Sequence, residues 1–391
     1  MNHDHLRHPR VYNFDEQLAI HGDRFVDLIE GLHRGDALAD DVIAAMQELS
    51  MKQKMELIDE ALAGRFERTP DALQKMMEDA RKVPSWVDWN RIERGAATLM
   101  RTGIIGGLTL GAKSLVEGYL APAGNKPLAL SGRLREQAAM RLNETARFVE
   151  AVASPEGMRP GNPGFNITLK VRLMHAGVRA LIERSGQWQQ DLWATPINQH
   201  DMVATIHLFS TAFMEGVQTL GMEISPLEQE DFLHLWRYVG HVIGVDAHLL
   251  PRAMREADAQ WSIISTTQGP PDEDSRNLAM ALLEGPLNEA NTEEERVGAL
   301  KHVAFAKGIC RRLIGDRRAD QLGLPENRWS QMTPVLAGVI KTLDKSRRFS
   351  FVEPWLQKKG RDYWEHTIAI GAQGRTISFP LPEVLAGRSS S

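Results

Sequence analysis

The sequence predicts an all-α protein. Apolar residues recur at steps of three, four and seven along most of the 391 residues, which is the spacing of one buried face of an α-helix. Clusters of proline and glycine separate these windows, and no alternation of strand and helix patterns is visible. A multi-helix fold therefore suits the chain better than a doubly wound sheet. The predicted helical windows are 14–33, 39–63, 71–80, 86–120, 131–153, 167–185, 199–221, 226–246, 276–285 and 292–314.

The first window shows the pattern that recurs in the others. Phe25, Leu28, Ile29 and Leu32 fall on one side of a helix, and Asp15 is a candidate N-terminal cap because its short side chain can accept from free backbone N–H groups. Charged residues occupy the other side. The window is therefore predicted to pack one apolar face on a core.

The most apolar stretch of the chain is Gly103–Leu120. It contains Lys113, Glu117 and several glycines, which would be costly in a lipid bilayer. We therefore expect a buried, glycine-rich helix or pair of helices that lines an apolar cavity, with no transmembrane segment.

The C-terminal part contains the one pattern that resembles strands. Residues 367–379 alternate between apolar and polar around Gln373-Gly374, a dipeptide suited to a turn. A small β-hairpin is predicted there.

Composition and charge exclude several classes of function. The net charge of −5 and the absence of a basic run argue against nucleic-acid binding. The single cysteine, Cys310, excludes an internal disulfide framework, cysteine-held zinc or iron–sulfur centres and covalent haem attachment. Any metal must then be held by His, Asp or Glu, or arrive inside a cofactor. Residues 1–14 carry no pattern of an export signal, which predicts a cytoplasmic protein.

Window 167–185 carries the most informative cluster. Arg172, His175 and Arg179 share one helical face, with Thr168 one turn earlier. Guanidinium groups bind carboxylates in a bidentate manner, so this face suits a planar dianionic cofactor whose iron takes a neutral imidazole. The alternative is a face that forms salt bridges to acidic residues of a neighbouring helix, and the residues alone leave the two interpretations even.

A second cluster precedes it at Arg141, Glu144 and Thr145, which again share a helical face. Glu144 could pair with Arg141 on a solvated surface, which is the commonest meaning of this spacing. It could instead line a pocket as an acid or base, which would require burial to raise its pKa.

Other metal or nucleophile sites are weaker candidates. His200 and His207, like the set at His234, His241 and His248, recur every seven residues, whereas ligands on one helix usually stand three or four residues apart. Cys310 next to two arginines could be reactive, but a buried cysteine is usually inert. We therefore expect neither a di-iron site nor nucleophilic catalysis.

Four motifs in order give the chain a family resemblance. They are RLNET at 141–145, RLMHAGVR at 172–179, WATPINQ at 193–199, and WRYVG at 236–240 running on to Gly244-Val245. Together they resemble the latex-clearing-protein type of rubber oxygenase and its mpaB-type relatives, over roughly 85–330. The resemblance implies a globin-like arrangement of helices around a non-covalent haem b and the oxidation or cleavage of olefinic lipids with dioxygen. It also divides the chain into a helical extension at 1–84, a haem-binding domain at 85–330 and a C-terminal extension at 331–391 packed on the core.

Position by position, the resemblance makes His175 the haem ligand and places Arg172 and Arg179 at the haem propionates. Arg141 and Thr145 would lie on the distal side. The stretch 310–325 also resembles the family and makes Arg312 a third basic contact. Asn198, Gln199 and Trp236 match the pattern too, but we expect structural roles for them, since polar residues after a proline often cap a helix.

Glu144 is the main departure, because rubber-cleaving members carry at this position a lysine that can close the sixth coordination site of the iron. A carboxylate there could donate or accept a proton during activation of dioxygen or peroxide. We expect a haem b oxygenase or peroxygenase-like oxidoreductase with an apolar, olefinic or lipid-like substrate. The alternative is a haem- or apolar-ligand-binding protein without turnover, such as a carrier or sensor.

Overall fold

The computed structural model describes residues 3–130, 134–349 and 351–372. Across these ranges the chain folds into helices joined by short turns, and no strand occurs in them. The all-α prediction is confirmed. Each predicted window contains helix, because the apolar faces that define the windows are the faces that reach the core.

Among the described residues before residue 186 there are ten α-helices. They are α1 Phe14–His21, α2 Asp23–Glu30, α3 Ala37–Ala45, α4 Met51–Leu62, α5 Asp71–Arg81, α6 Trp89–Thr109, α7 Leu115–Tyr119, α8 Lys126–Leu130, α9 Leu134–Ala153 and α10 Pro163–Ser185.

Eleven further helices follow within the described ranges. They are α11 Gln190–Trp193, α12 Gln199–Phe209, α13 Thr211–Thr219, α14 Pro226–Val242, α15 Met254–Thr267, α16 Glu273–Leu283, α17 Gly285–Glu289, α18 Glu293–Ile314, α19 Asp316–Gln321, α20 Arg328–Asp344 and α21 Val352–Ala372.

Several predicted windows divide into two helices. The first splits at Gly22, whose φ of 54° an L-residue adopts only with strain, and the second is interrupted before Ser50, which caps α4 together with Gln53. The cap predicted at Asp15 is wrong. α1 begins at Phe14 after Asn13, and Asp15 lies inside the first turn, where it pairs with Arg7.

The glycine-rich stretch is helical, as predicted, and mostly buried, with Ile104 exposed. α6 bends at Gly103, whose φ of 48° and ψ of −126° lie outside the helical region, and the π-helical turn Leu110–Ser114 connects it to α7. A Cβ at Gly360 of α21 would collide with the carbonyl oxygen of Met100, so α6 and α21 cross with their backbones in contact. Within the described residues, no helix is long and apolar enough to span a bilayer.

The predicted C-terminal hairpin is wrong where the structure describes it. Residues 367–372 belong to α21, which buries Trp364 and Ile368 and packs on α6 and α9. A helix buries both Trp364 and Ile368 because they stand at positions i and i+4. This burial outweighs the short alternation of apolar and polar residues that suggested a strand. Positions 373–379 lie outside the described residues.

One continuous apolar core joins the early, central and late parts of the chain. Phe25 of α2, Leu73 of α5, Val149 of α9, Trp236 of α14 and Trp364 of α21 are all buried in it. The segments predicted as extensions therefore contribute to the same core as the central helices. The domain boundaries at 84 and 330 stay predictions.

Candidate haem-binding site

The two sequence clusters lie on neighbouring helices. α9 and α10 pack against each other and are joined by a short loop, with Gly164 set against the carbonyl oxygen of Ala151. Arg141 lies ten residues before Ala151 on α9, and His175 lies eleven residues after Gly164 on α10. At about 1.5 Å per residue, both are about 15 Å along their helices from the contact. The fold therefore places the Arg141–Thr145 cluster at about the height of His175 along the helix pair.

His175 has the properties of an available metal ligand. Burial lowers its pKa to about 4, so the imidazole is neutral at physiological pH. Its Nδ1 is buried without a hydrogen-bond partner among the described residues. The side chain nevertheless keeps some accessible surface deep in the fold, as do Val171, Met174 and Val178 on the same side of α10. A neutral ring at the edge of an apolar strip suits an iron ligand.

Arg172 is committed to a carboxylate of another helix. Its Nε and Nη2 donate to Asp36 at 2.6 and 2.9 Å, and Nη1 donates to the carbonyl oxygen of Val242 at 3.4 Å. Asp36 in turn caps α3 by accepting from the N–H of Ala39. Both partners are buried, so the structure shows Arg172 in the salt-bridge arrangement that was the alternative to a propionate contact.

Arg179 is held in a similar way two turns further along α10. Its Nε and Nη2 lie 2.9 and 2.8 Å from Asp40 Oδ1, and Nη1 donates to the carbonyl oxygen of Ile197 at 2.6 Å. Asp40 is partly exposed, and burial raises its pKa in spite of the arginine. Arg172 and Arg179 thus join α10 to α3, with His175 between them.

Glu144 lies in a desolvated, polar corner. Burial raises its pKa to about 7, and the nearby positive charge of Arg141 offsets this only in part. Burial also lowers the pKa of Arg141, against the opposing influence of Tyr119 and Glu144. Glu144 is therefore partly desolvated and does not lie on a fully solvated surface, although Arg141 remains beside it. The carboxyl group is poised to hold or release a proton near neutral pH.

Tyr119 is a member of this corner that the sequence did not reveal. It ends α7, burial raises the pKa of its phenol, and the charge of Arg141 acts on it in the opposite direction. No spacing pattern points to it, because it closes an apolar segment whose partner is distant in sequence. Thr145 is partly buried beside Glu144 on α9.

Arg312 lies in a different setting from the other candidates. It is exposed on α18, where it lines a surface groove with Lys113, Glu215 and Asp258. Its neighbour Arg311 is the buried one and pairs with Asp316 and Asp320. Among the described residues, the structure thus does not group Arg312 with His175, and the propionate contact predicted for it stays a prediction.

The structural roles expected for two polar motif residues are visible. Asn198 accepts from the N–H of Asp201 and caps α12. Gln199 Nε2 donates to the carbonyl oxygens of Gly35 and Gly244, and its Oε1 accepts from the N–H of Asp246. Trp236 is buried in the core, stacked on Phe209.

The competing histidines have local roles. His207 contacts Gln260 and Thr211 at 2.8 and 3.1 Å, and His234 Nε2 accepts from the N–H of Asp88. His241 resembles His175 in one respect, since its Nε2 is buried without a partner among the described residues. No group of three or more His, Cys, Asp or Glu suited to a metal occurs in the part of the chain that is described.

Cys310 is buried, and burial raises its pKa to about 12. The protonated thiol is a poor nucleophile at neutral pH.

Besides the groove at Arg312, the surface has a cleft of about 610 Å³. Gly118, Leu120 and Glu117 from the end of the glycine-rich segment line it, opposite Trp261 and Ile264 of α15. The cleft also contains charged side chains, among them Asp201 and Arg318, so the apolar cavity predicted along the segment stays a prediction.

Comparison with known proteins decides the family. Residues 99–343 match the family model described as ER-bound oxygenase mpaB/B'/rubber oxygenase, catalytic domain. The chain belongs to this family. The chain is similar to the rubber oxygenase of Streptomyces sp. (strain K30), with 29% identity over 204 residues. The match covers 52% of this chain and 49% of that relative, so the chain spans about half the length of the curated relative it matches.

A solved structure agrees on the fold of this mpaB/rubber-oxygenase chain. The structure of latex clearing protein in the closed state superposes with a TM-score of 0.62 over 90% of this chain and 95% of that one, at 20% identity. The likeness is one of fold, and it confirms the predicted all-helical architecture of the family.

Proposed function

We propose that this member of the mpaB/rubber-oxygenase family is a haem b-dependent oxygenase or peroxygenase-like oxidoreductase. Its substrate would be an apolar, olefinic or lipid-like small molecule, and its oxidant dioxygen or peroxide. The observation that carries the proposal is His175, a neutral, deeply placed imidazole with an unpartnered nitrogen on the helix that bears the family motif. Family membership supports oxygenase chemistry on an apolar substrate.

The residues around His175 fit a haem that is held by one protein ligand. A bare ion would need several side-chain ligands, and no such group occurs in the described residues, whereas a porphyrin needs only an axial imidazole. The apolar strip of Val171, Met174 and Val178 would contact the macrocycle beside His175.

The arginines of the site fit the role of haem propionate contacts less directly than His175 fits that of the iron ligand. Arg172 and Arg179 would have to share their guanidinium groups between Asp36 or Asp40 and a propionate. Arg141 lies close enough to Glu144 and Tyr119 for their charges to oppose the lowering of its pKa by burial. We therefore propose the α10 arginines as supports of the helix that carries His175, and Arg141 as the cation beside Glu144 on the distal side.

Bound haem would supply the redox chemistry of oxygen, and the chain would supply orientation and control of protons. Glu144, with a pKa of about 7, is populated in both protonation states at neutral pH and would donate or accept a proton at its carboxyl oxygens. Arg141 keeps a positive charge next to it, and Thr145 adds a hydroxyl on the same helical face. Glu144 would thus be the acid–base group of the proposed site.

An ultraviolet–visible spectrum of the purified chain, expressed with sufficient haem, tests the cofactor. We expect a Soret band in the native protein and its loss in His175→Ala. His241→Ala is the matched control, because it removes the other imidazole with an unpartnered buried nitrogen and should keep the band. A folded native protein without a Soret band would refute haem binding, and a band retained in His175→Ala would refute the ligand assignment.

Turnover separates an enzyme from a carrier or sensor, since both would show the Soret band. We expect oxygen-dependent or peroxide-dependent products from β-carotene, squalene or short polyisoprene, detected by chromatography. Haem-loaded protein that binds these compounds without converting them would favour the non-catalytic alternative.

A further inference from the structure

The surface of α20 has an apolar stripe that no part of the described fold covers. Met332, Val335, Val339 and Leu343 stand at steps of three and four on one side of the helix, and each is more than half exposed. Thr333 and Asp344 are buried on a neighbouring side of α20, the side that faces the protein. Four exposed apolar side chains in one row are unusual for a solvated helix.

Aromatic residues continue the stripe beyond the end of α20. Phe349 and Phe351 are exposed and stack with their ring centroids 6.1 Å apart, and Trp355 is exposed one turn into α21. Large aromatic rings at a helix end are typical of the interface between lipid tails and headgroups. We define the docking face as Met332, Val335, Val339, Leu343, Phe349, Phe351 and Trp355.

The charge around the docking face differs from that of the whole chain. Residues 328–362 contain eight Lys or Arg and three Asp or Glu, a net charge of +5, whereas the whole chain carries −5. Arg328 is exposed one turn before Met332 on the same side of α20, and Lys358 is exposed one turn after Trp355. Basic side chains thus stand at both ends of the apolar stripe.

We propose that the docking face binds the surface of an anionic lipid membrane, with α20 lying in the plane of the interface. Apolar and aromatic side chains would enter the boundary between headgroups and acyl chains, and Arg328 and Lys358 would contact lipid phosphates. A second copy of the chain is a less suitable partner for the docking face than a membrane, because a symmetric dimer would bring two basic segments together. The inference does not depend on haem or on the proposed activity.

Sedimentation with vesicles tests the inference on the full chain. We expect co-sedimentation with vesicles of phosphatidylcholine and phosphatidylglycerol in equal parts, and weaker binding to phosphatidylcholine alone. Val339→Gln with Leu343→Gln should lower the partition coefficient by about tenfold or more, since two apolar side chains leave the interface. Ile20→Gln with Leu192→Gln is the matched control. Those residues are 62% and 48% exposed, against 52% and 66% for Val339 and Leu343, and they lie on α1 and α11.

The charge is tested separately. Arg328→Gln with Lys358→Gln should reduce binding to the anionic vesicles by about tenfold or more and leave binding to phosphatidylcholine unchanged. Unchanged thermal unfolding midpoints show that the variants remain folded. The inference is overturned if the native chain binds neither vesicle, or if the control pair lowers binding as much as the stripe pair. It is also overturned if the stripe instead mediates a monomer–dimer equilibrium in analytical ultracentrifugation and vesicle binding is absent.

Discussion

At the scale of single residues, burial sets the protonation states of the candidate site. His175 stays neutral down to a pH of about 4, whereas Glu144 retains its proton up to about 7. Both shifts favour the uncharged form, and both have desolvation as their largest cause. The chain therefore presents a neutral ligand and a neutral or weakly acidic carboxyl group on two adjacent helices, which suits an apolar cofactor and substrate.

Glu144→Gln should remove a pH-dependent step centred near pH 7 from the turnover profile of the haem-loaded protein and leave the Soret band in place. The reason is that glutamine fills the same space and cannot release a proton. Glu150→Gln is the control, because Glu150 lies on the same helix with a pKa also raised by burial, and the step should persist there. An unchanged profile in Glu144→Gln would exclude the acid–base role.

The same substitution has a predicted effect on stability. Folding raises the pKa of Glu144 from 4.5 to about 7, so the folded chain holds this proton more tightly than the unfolded chain. Stability should then fall as pH rises from about 4.5 to about 7. Urea unfolding at a series of pH values should show this slope reduced in Glu144→Gln.

At the scale of elements, glycines determine how the glycine-rich segment is shaped. Gly103 has a φ that L-residues rarely adopt and sits against Gly360 of α21, whereas Gly111 is helical with open space around its Cα. Gly103→Ala should lower the free energy of unfolding by about 1–3 kcal/mol through backbone strain. Gly111→Ala should be neutral or stabilising by up to about 1 kcal/mol. Chemical denaturation of both variants measures the difference, and equal effects would show that the bend at Gly103 is not required.

Periodicity predicted most of the long helices up to residue 314, because their apolar faces reach the core, but the predicted windows did not cover α15 or α20. The periodicity gave a wrong prediction where the same residues fit both a strand pattern and a helix pattern. Residues 367–372 alternate like a strand, but Trp364 and Ile368 are buried as members of a helix. The His175 cluster was recognised from its spacing and motif, while the partners of its arginines were not. Asp36 and Asp40 lie far away in sequence, and only the tertiary fold brings them to α10.

At the scale of the whole molecule, these two carboxylates join the N-terminal segment to the helix of the candidate site. The two pairs are similar in geometry and differ in burial. Arg172 and Asp36 are both buried, whereas Asp40 is 39% exposed beside Arg179. A buried arginine that loses its carboxylate partner keeps an uncompensated charge, and Arg179 differs from Arg172 in having a second carboxylate, Glu183, close enough to act on its charge.

Asp36→Asn should therefore lower the free energy of unfolding by about 3–5 kcal/mol, since it leaves Arg172 charged and buried while an amide still caps α3. Asp40→Asn, the comparison, should cost less than Asp36→Asn. Arg179 is itself buried, but Asp40 is 39% exposed, and the nearby carboxylate of Glu183 and the carbonyl oxygen of Ile197 still compensate the guanidinium. Urea denaturation of both variants measures the difference. If residues 1–84 were a separable extension, Asp36→Asn would loosen that segment alone, and the helices after residue 85 would unfold in a second transition at the native midpoint. A single transition shifted to lower urea would instead show that α3 and α10 are parts of one cooperative unit.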